Sequence, residues 1–176
     1  MISSNVIRLL NLGPTAWART QSVHRATAEL FAKENREAVI FAQSLQPYLS
    51  HGVDQTASEI FDLAVCERLH LPVVQRLFPG GAEYCDVNQM LFQWVLPPNG
   101  EPHQLTNAVL AALREFGIIA EFDSMQFKVR GARIGTLAGG RHESASLFLG
   151  CIYLSYDSDS LNQTLCKPIH ESTTSL

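Results

Sequence analysis

The last third of the chain, residues 118–156, constrains the fold most, because it is almost entirely strand-forming sequence divided by glycines. Gly131, Gly135 and the pair Gly139-Gly140 stand where tight turns would separate successive strands. Strands joined by short turns pair antiparallel. The segment therefore predicts consecutive antiparallel strands at the end of the domain.

Strands and helices follow one another irregularly in the first two thirds, without a regular βαβα order. This order predicts an α+β domain with a mixed, largely antiparallel sheet flanked by helices. The predicted elements are a strand over 6–10 ended by Gly13-Pro14, a helix over 16–30, a strand over 38–42, a loop over 47–52, a helix from a capping box of Thr56 and Glu59 to Pro72, strands at 73–74 and 90–96, and a helix over 105–116 capped by Gly117.

Composition excludes several classes of function. The net charge of -4 argues against bulk affinity for nucleic acid or an anionic membrane surface. No segment reaches the roughly 20 consecutive apolar residues that a membrane span needs. The four cysteines are far apart and the six histidines show no ligand spacing, so neither a disulfide framework nor a metal site is predicted. We expect one cytoplasmic domain over residues 1–169 and a polar tail over 170–176.

Two glycine-rich segments carry the candidate chemistry. In residues 75–84, the adjacent Gly80 and Gly81 would let backbone N–H groups approach an anion, and Arg76 would add a charged donor. Residues 130–142 mix small residues with three arginines that could clamp a phosphate or carboxylate. The alternatives are a plain turn between two strands for the first segment and a solvated hairpin for the second. One segment lies in each half of the chain, so the two could face each other across a pocket.

Short motifs along nearly the whole chain resemble those of the lipoate-protein ligase A family, in the biotin/lipoate ligase superfamily. Where that family has an arginine pair, two variable residues, three glycines and then Ala-Val-Tyr or Ala-Val-Phe with His and Asp, this chain has residues 75–86. Where the family has Gly-Arg-Lys-Ile and small residues, it has residues 131–136. Further matches are residues 8–14, 21–24, 47–52, 63–68 and 71–74.

The resemblance implies the biotin/lipoate ligase fold, which is similar to that of class II aminoacyl-tRNA synthetases. It implies activation of lipoate or octanoate with ATP and Mg, and transfer to a lysine of a lipoyl-carrier domain, as in 2-oxo acid dehydrogenases or the glycine cleavage protein. The chain is short for a C-terminal accessory domain, so a partner subunit could replace it. By resemblance, Arg133 stands at the family's catalytic lysine, and the acyl- or nucleotide-binding positions are Arg76, Pro79, Gly80, Gly81, Ala82, Glu83, Tyr84, Gly135 and Thr136.

Several positions depart from the family pattern. Gln75 replaces an arginine, Pro79 replaces the first glycine and has no N–H donor, and Glu83 adds an anion beside the loop. Arg133 keeps the positive charge but is a poor copy of a lysine ammonium. We therefore expect altered or lost adenylation. The alternative to an active ligase or acyltransferase is a degenerate member that binds an acyl group, a nucleotide or a carrier protein.

A cysteine nucleophile is a further alternative, since some relatives carry the acyl group on a thiol. They place that cysteine just before the lysine motif, and residues 121–126 contain none. Cys85, in the glycine-rich segment, is the thiol that we would test.

Overall fold

A computed structural model describes residues 7–31, 37–98, 100, 102–142 and 145–167. Its strands form a seven-stranded sheet of order β1-β2-β6-β10-β9-β8-β7 and a three-stranded sheet of order β4-β3-β5. The strands are β1 (Ile7–Thr15), β2 (Glu37–Ser44), β3 (Tyr48–His51), β4 (Val73–Gln75), β5 (Glu83–Cys85), β6 (Gln89–Leu96), β7 (Glu121–Asp123), β8 (Gln126–Val129), β9 (Ala132–His142) and β10 (Ala145–Tyr153). The helices are α1 (Trp17–Phe31), α2 (Ala57–Ile60), α3 (Leu63–Arg68), α4 (His103–Glu115) and α5 (Ser158–Thr164).

The expected fold class is confirmed. In the large sheet only β1 and β2 pair in parallel, and the other neighbours pair antiparallel. Helix α4 packs one face of this sheet through Leu105 and Leu113, and α1 packs the opposite face through Ala28. The three-stranded sheet has its own core with α3 and α5, which includes Leu49 and Leu161. The second sheet was not expected from the sequence.

The apolar periodicity of α1 and α4 and the strands β2 and β6 are confirmed. Gly117 has a φ of +77° and its N–H donates to the carbonyl oxygen of Arg114, so it caps α4 as expected. None of the helices in the described ranges has the length and apolar character that a bilayer crossing demands. The expected polar tail over 170–176 lies outside the described residues.

Two strand boundaries were wrong. Gly13-Pro14 does not end β1, because the register shifts between Asn11 and Pro14 and pairing with β2 resumes at Pro14 and Thr15. A proline is tolerated there since β1 is an edge strand. The expected loop over 47–52 is largely strand β3, whose four residues are all buried, so no polar alternation marks it.

The expected capping box was also wrong. Thr56 makes no side-chain cap, and α2 is a single turn. The next helix, α3, begins instead at Asp62, whose Oδ1 accepts hydrogen bonds from the N–H groups of Ala64 and Val65. It ends at Arg68, ahead of Pro72. The apolar periodicity predicted one helix, whereas the N-cap at Asp62 starts a separate helix, α3, after α2.

Of the four glycines expected to separate strands in residues 118–156, only Gly131 lies in a turn. Gly131 lies in the turn between β8 and β9, with a φ of +81°. Gly135, Gly139 and Gly140 instead lie inside β9, where neighbouring groups approach the backbone closely. At Gly139, a Cβ would overlap the ring of Phe148 and the carbonyl oxygen of Leu147. These glycines serve packing rather than turning.

Candidate functional site

A cavity of about 340 Å³ lies between the two sheets. Its floor is the face of β6, β9 and β10 opposite α4, with Leu91, Cys151 and Leu149, and its other wall comes from β3, β5 and the glycine-rich loop. Its volume is at the small end of ligand pockets, and apolar side chains dominate its middle. Further lining residues are Gln21, Tyr48, Ser50, Arg76, Gly80, Gly81, Glu83, Cys85, Gln93, Ser124, Met125, Gln126, Arg133, Thr136, Leu137 and Ala138.

A β-bulge in β9 turns Arg133 toward this cavity. Lys128 pairs with Arg133 and Phe127 with Gly135, so Ile134 has no partner on β8. Side chains three apart on a regular strand point to opposite faces, but the extra residue shifts the alternation. Arg133 and Thr136 therefore both line the cavity, while Ile134 is fully buried in the core on the α4 side.

Glu83 neutralises Arg133. Nη1 of Arg133 lies 3.4 Å from Oε1 of Glu83, and each of these side chains is only 12% exposed. The Tyr153 hydroxyl donates to Oε2 of Glu83 at 2.9 Å. The guanidinium also lies over the rings of Tyr153 and Tyr156, at 5.8 and 6.0 Å from their centroids. Arg133 is thus held in a buried ion pair and an aromatic cage rather than presented to a ligand.

Burial raises the pKa of Tyr153 and of Tyr156 well above the usual range, and the nearby Glu83 carboxylate raises both further. Both phenols therefore stay protonated at neutral pH. The Tyr153 hydroxyl therefore remains a hydrogen-bond donor to Glu83 at neutral pH.

Two side-chain hydrogen bonds of Arg76 connect the glycine-rich loop to β3. Its Nη1 donates to Ser50 Oγ at 2.9 Å and its Nη2 to the carbonyl oxygen of Gly81 at 2.7 Å. Ser50 is the cross-strand partner of Glu83, so both side chains lie on the same face of the small sheet. Nε of Arg76 is buried and has no hydrogen-bond partner among the described residues. Arg76 also lines the cavity.

The Gly80-Gly81 turn approaches a neighbouring loop closely. A Cβ on Gly52 would lie 2.5 Å from the backbone nitrogen of Gly80, so position 52 requires glycine. Gly80 has a φ of +140°, which a side chain would strain, and its N–H points toward Asp54 Oδ1 at 3.4 Å. Pro79 and Gly81 are exposed at the rim. The N–H of Gly80 is accordingly directed at the protein's own carboxylate.

Polar groups of α1 close the far end of the cavity. Gln93, on the central strand β6, donates from Nε2 to the backbone carbonyl oxygen of Thr20. Gln21 Nε2 donates to the Tyr48 hydroxyl at 2.9 Å. Burial raises the pKa of Tyr48 well above its usual range. The far wall is therefore polar but uncharged.

The two glycine-rich segments meet across the cavity. Arg76, Gly80, Gly81, Glu83, Cys85, Arg133 and Thr136 line it, whereas Pro79, Ala82, Tyr84 and Gly135 do not. Ala82 and Tyr84 are buried in the core of the small sheet. Gly135 allows close packing on β10, because a Cβ there would overlap the carbonyl oxygen of Cys151. Ligand roles for these residues stay predictions.

Cys85 is placed unfavourably for a nucleophile. Its thiol is buried, and burial, with smaller effects of Cys151 and Glu83, raises its pKa far above the usual range. Cys151, on the facing sheet, is also buried and has its pKa raised to about 11. A thiol attacks as the thiolate, so neither group is activated in this conformation.

Sequence reasoning missed Tyr153, Ser50 and Gln93 at this site. Tyr153 reaches Glu83 across 70 residues of chain, and Ser50 reaches it through the pairing of β3 with β5. No local motif marks such partners. In the described ranges, no group of three or more His, Cys, Asp or Glu side chains is placed to hold a metal ion.

This fold is that of lipoate ligase structures. A candidate lipoate protein ligase from T. acidophilum with bound lipoic acid is 21% identical, with a TM-score of 0.80, and the match covers 96% of this chain and 76% of that one. P. falciparum LipL1 in complex with lipoate is 16% identical, with a TM-score of 0.86, and the match covers 97% of this chain and 55% of that one. This chain therefore spans about half the length of LipL1.

A third structure is a bipartite lipoate protein ligase of T. acidophilum, described with its E2 lipoyl domain. It is 22% identical, with a TM-score of 0.81, and the match covers 93% of this chain and 67% of that one. Comparison with curated protein sequences gives no match. Residues 14–176 match the lipoyl protein ligase A/B catalytic domain, and the chain belongs to that family.

Proposed function

We propose that this protein binds a medium-length acyl group, lipoyl or octanoyl, in the cavity between its sheets. The observation that carries the proposal is the apolar part of the cavity along β10. It ends at Gln93 on one side and at Glu83, with its partners Arg133 and Tyr153, on the other. The five residues of β10 from Leu149, which pairs with Gln93, to Tyr153, which donates to Glu83, span about 13 Å. That length suits an extended octanoyl chain.

The charges favour a ligand with one negative charge. Among the described residues that line the cavity, the charged ones are Arg76, Arg133 and Glu83, and Glu83 neutralises Arg133. Arg76 then contributes a positive charge that no second carboxylate among these lining residues balances, and its Nε has no hydrogen-bond partner among the described residues. A carboxylate placed there would receive a charge-assisted hydrogen bond and balance the site.

Thermal denaturation with lipoate, octanoate, ATP and biotin tests the proposal. Lipoate or octanoate at 100 times its Kd should stabilise the folded state by about 2.7 kcal/mol. Arg76→Gln should weaken this effect, whereas Arg68→Gln, at an exposed position of α3, is the matched control. Stabilisation by none of the acyl ligands would refute acyl binding.

ATP and Mg, which the family resemblance implies, do not fit the donors of this cavity. Glu83 is the only carboxylate among the described residues that line it, and it is held by Arg133 and Tyr153. The N–H of Gly80 faces Asp54, and Pro79 has no N–H to donate. A triphosphate with its cation needs more free donors and carboxylates than this arrangement offers. We therefore derive no step through ATP or Mg.

Acyl transfer from a thioester donor, such as octanoyl-acyl carrier protein, to a lysine of a lipoyl-carrier domain is the second candidate function, and the position of Arg133 in the cavity favours it. The lysine amine would attack the thioester carbonyl, the amide bond would form as the C–S bond breaks, and the carrier thiol would leave with the proton. A transfer assay that supplies octanoyl-acyl carrier protein in one arm and lipoate with ATP in the other tests it. Arg133→Lys alone should not increase transfer, because Glu83 would still neutralise the new ammonium. Glu83→Val with Arg133→Lys is the variant expected to gain activity. Transfer that appears only with a co-purifying chain would assign this domain to a bipartite ligase.

A further inference from the structure

The turn between β7 and β8 is held in a conformation that its residues disfavour. Ser124 and Met125 occupy its two central positions, with φ of +52° and +63°. Two left-handed residues in a two-residue hairpin loop define a turn for which Asn-Gly is the preferred sequence. Neither residue here is glycine, so each carries backbone strain that the chain retains.

This strained turn lies at the cavity. Ser124, Met125 and Gln126 all line it beside Thr136. The carbonyl oxygen of Met125 accepts a hydrogen bond from the Leu137 N–H at 2.9 Å, which ties the turn to β9. Met125 is 40% exposed, so its side chain forms part of the cavity wall and part of the outer surface. Met125 therefore lies at the opening of the cavity to solvent and not in the core.

We propose that Met125 closes the acyl cavity and sets the length of the chain that it accepts. The inference rests on the proposed acyl binding. A methionine side chain is flexible and polarizable, so it adapts its fit to an unbranched acyl tail and excludes water from it. Glycine would relieve the backbone strain but would leave the mouth open. The strain is therefore retained at the position where a side chain is needed.

Straight-chain carboxylates from hexanoate to dodecanoate, together with lipoate, test the inference by titration calorimetry. Wild-type protein should show an affinity maximum at one chain length. Met125→Ala should weaken binding at that length by about tenfold, the equivalent of a contact worth about 1.4 kcal/mol, and move the maximum to longer chains. Met90→Ala is the matched control, since Met90 is 37% exposed on β6 and does not line the cavity.

Met125→Gly separates binding from stability. It should bind the acyl ligands as weakly as Met125→Ala, yet unfold about 2 °C higher than Met125→Ala, because glycine accepts the left-handed backbone. A chain-length profile for Met125→Ala equal to that of Met90→Ala would overturn the role of Met125 and leave acyl binding intact. If wild-type protein binds no ligand of the series, the proposed function itself fails.

Discussion

Replacing Glu83 with glutamine keeps the shape of the side chain and removes the charge that neutralises Arg133. Both partners are 12% exposed, so the variant leaves a largely buried guanidinium without its carboxylate. Breaking a buried ion pair in this way costs about 3 kcal/mol at the lower end of the usual range. For a domain of this size, that loss lowers the melting temperature by roughly 9 °C.

A double-mutant cycle measured by urea denaturation isolates the pair. Glu83→Gln, Arg133→Gln and the double variant should show coupling of at least about 1 kcal/mol, with the double variant less destabilised than the sum of the single ones. Glu67→Gln, at an exposed position of α3, controls for the change in net charge. Additive effects, or a Glu83→Gln variant as stable as wild type, would refute the assignment of Arg133 to a structural ion pair.

Glu83→Gln should increase the affinity for an acyl carboxylate although it lowers the stability of the fold. With Glu83 neutral, the described residues that line the cavity would include two cations, Arg76 and Arg133, and no carboxylate. Octanoate should then bind more tightly to Glu83→Gln than to wild type, although the variant is less stable. Equal affinity would place the ligand carboxylate away from both arginines.

Three other predictions concern the surroundings of the site. Burial lowers the pKa of His24 to about 4, so between pH 6.5 and pH 4 this residue binds a proton in the unfolded chain but not in the folded one. The free energy of unfolding should therefore decrease by up to about 3 kcal/mol as the pH is lowered from 6.5 to 4. In urea titrations, His24→Gln should flatten this dependence and His70→Gln, at an exposed position, should not. Gly52→Ala should destabilise by about 1–3 kcal/mol through overlap with Gly80, whereas Gly81→Ala, which has open space, should be neutral in thermal melts. A thiol reagent should modify only Cys166 among the four cysteines of the native protein, and rapid labelling of Cys85 would contradict its burial.

The sequence predicted correctly those helices and strands that are determined by residues close together in the chain. The helical spacing of α1 and α4, the Gly117 cap and the apolar run of β6 each depend on residues within a few positions of one another. The same pattern failed at β3, since a strand buried on both faces shows no alternation. Sequence could therefore place the two glycine-rich segments but not the small sheet that brings them together.

Long-range contacts account for what the sequence could not provide at the site. Arg133 reaches Glu83 across 50 residues, and it does so only because Ile134 is left out of the β8–β9 pairing. A bulge of this kind has no signature in the chain, as the adjacent Gly135 is equally consistent with a turn. The sequence identified the correct residue types, but their charges were assigned to a ligand rather than to each other.

Two departures from the family pattern, Glu83 and Arg133, therefore form one physical unit. A buried glutamate at position 83 without a nearby cation, or a buried arginine at position 133 without a nearby anion, would each destabilise the fold, whereas together they satisfy one another. The same pairing is the reason that Arg133→Lys alone should not increase transfer, since a lysine there would face the same carboxylate. A cation at position 133 that is not paired with Glu83 therefore requires the removal of Glu83, and in the proposed acyl complex the ligand carboxylate contacts Arg76.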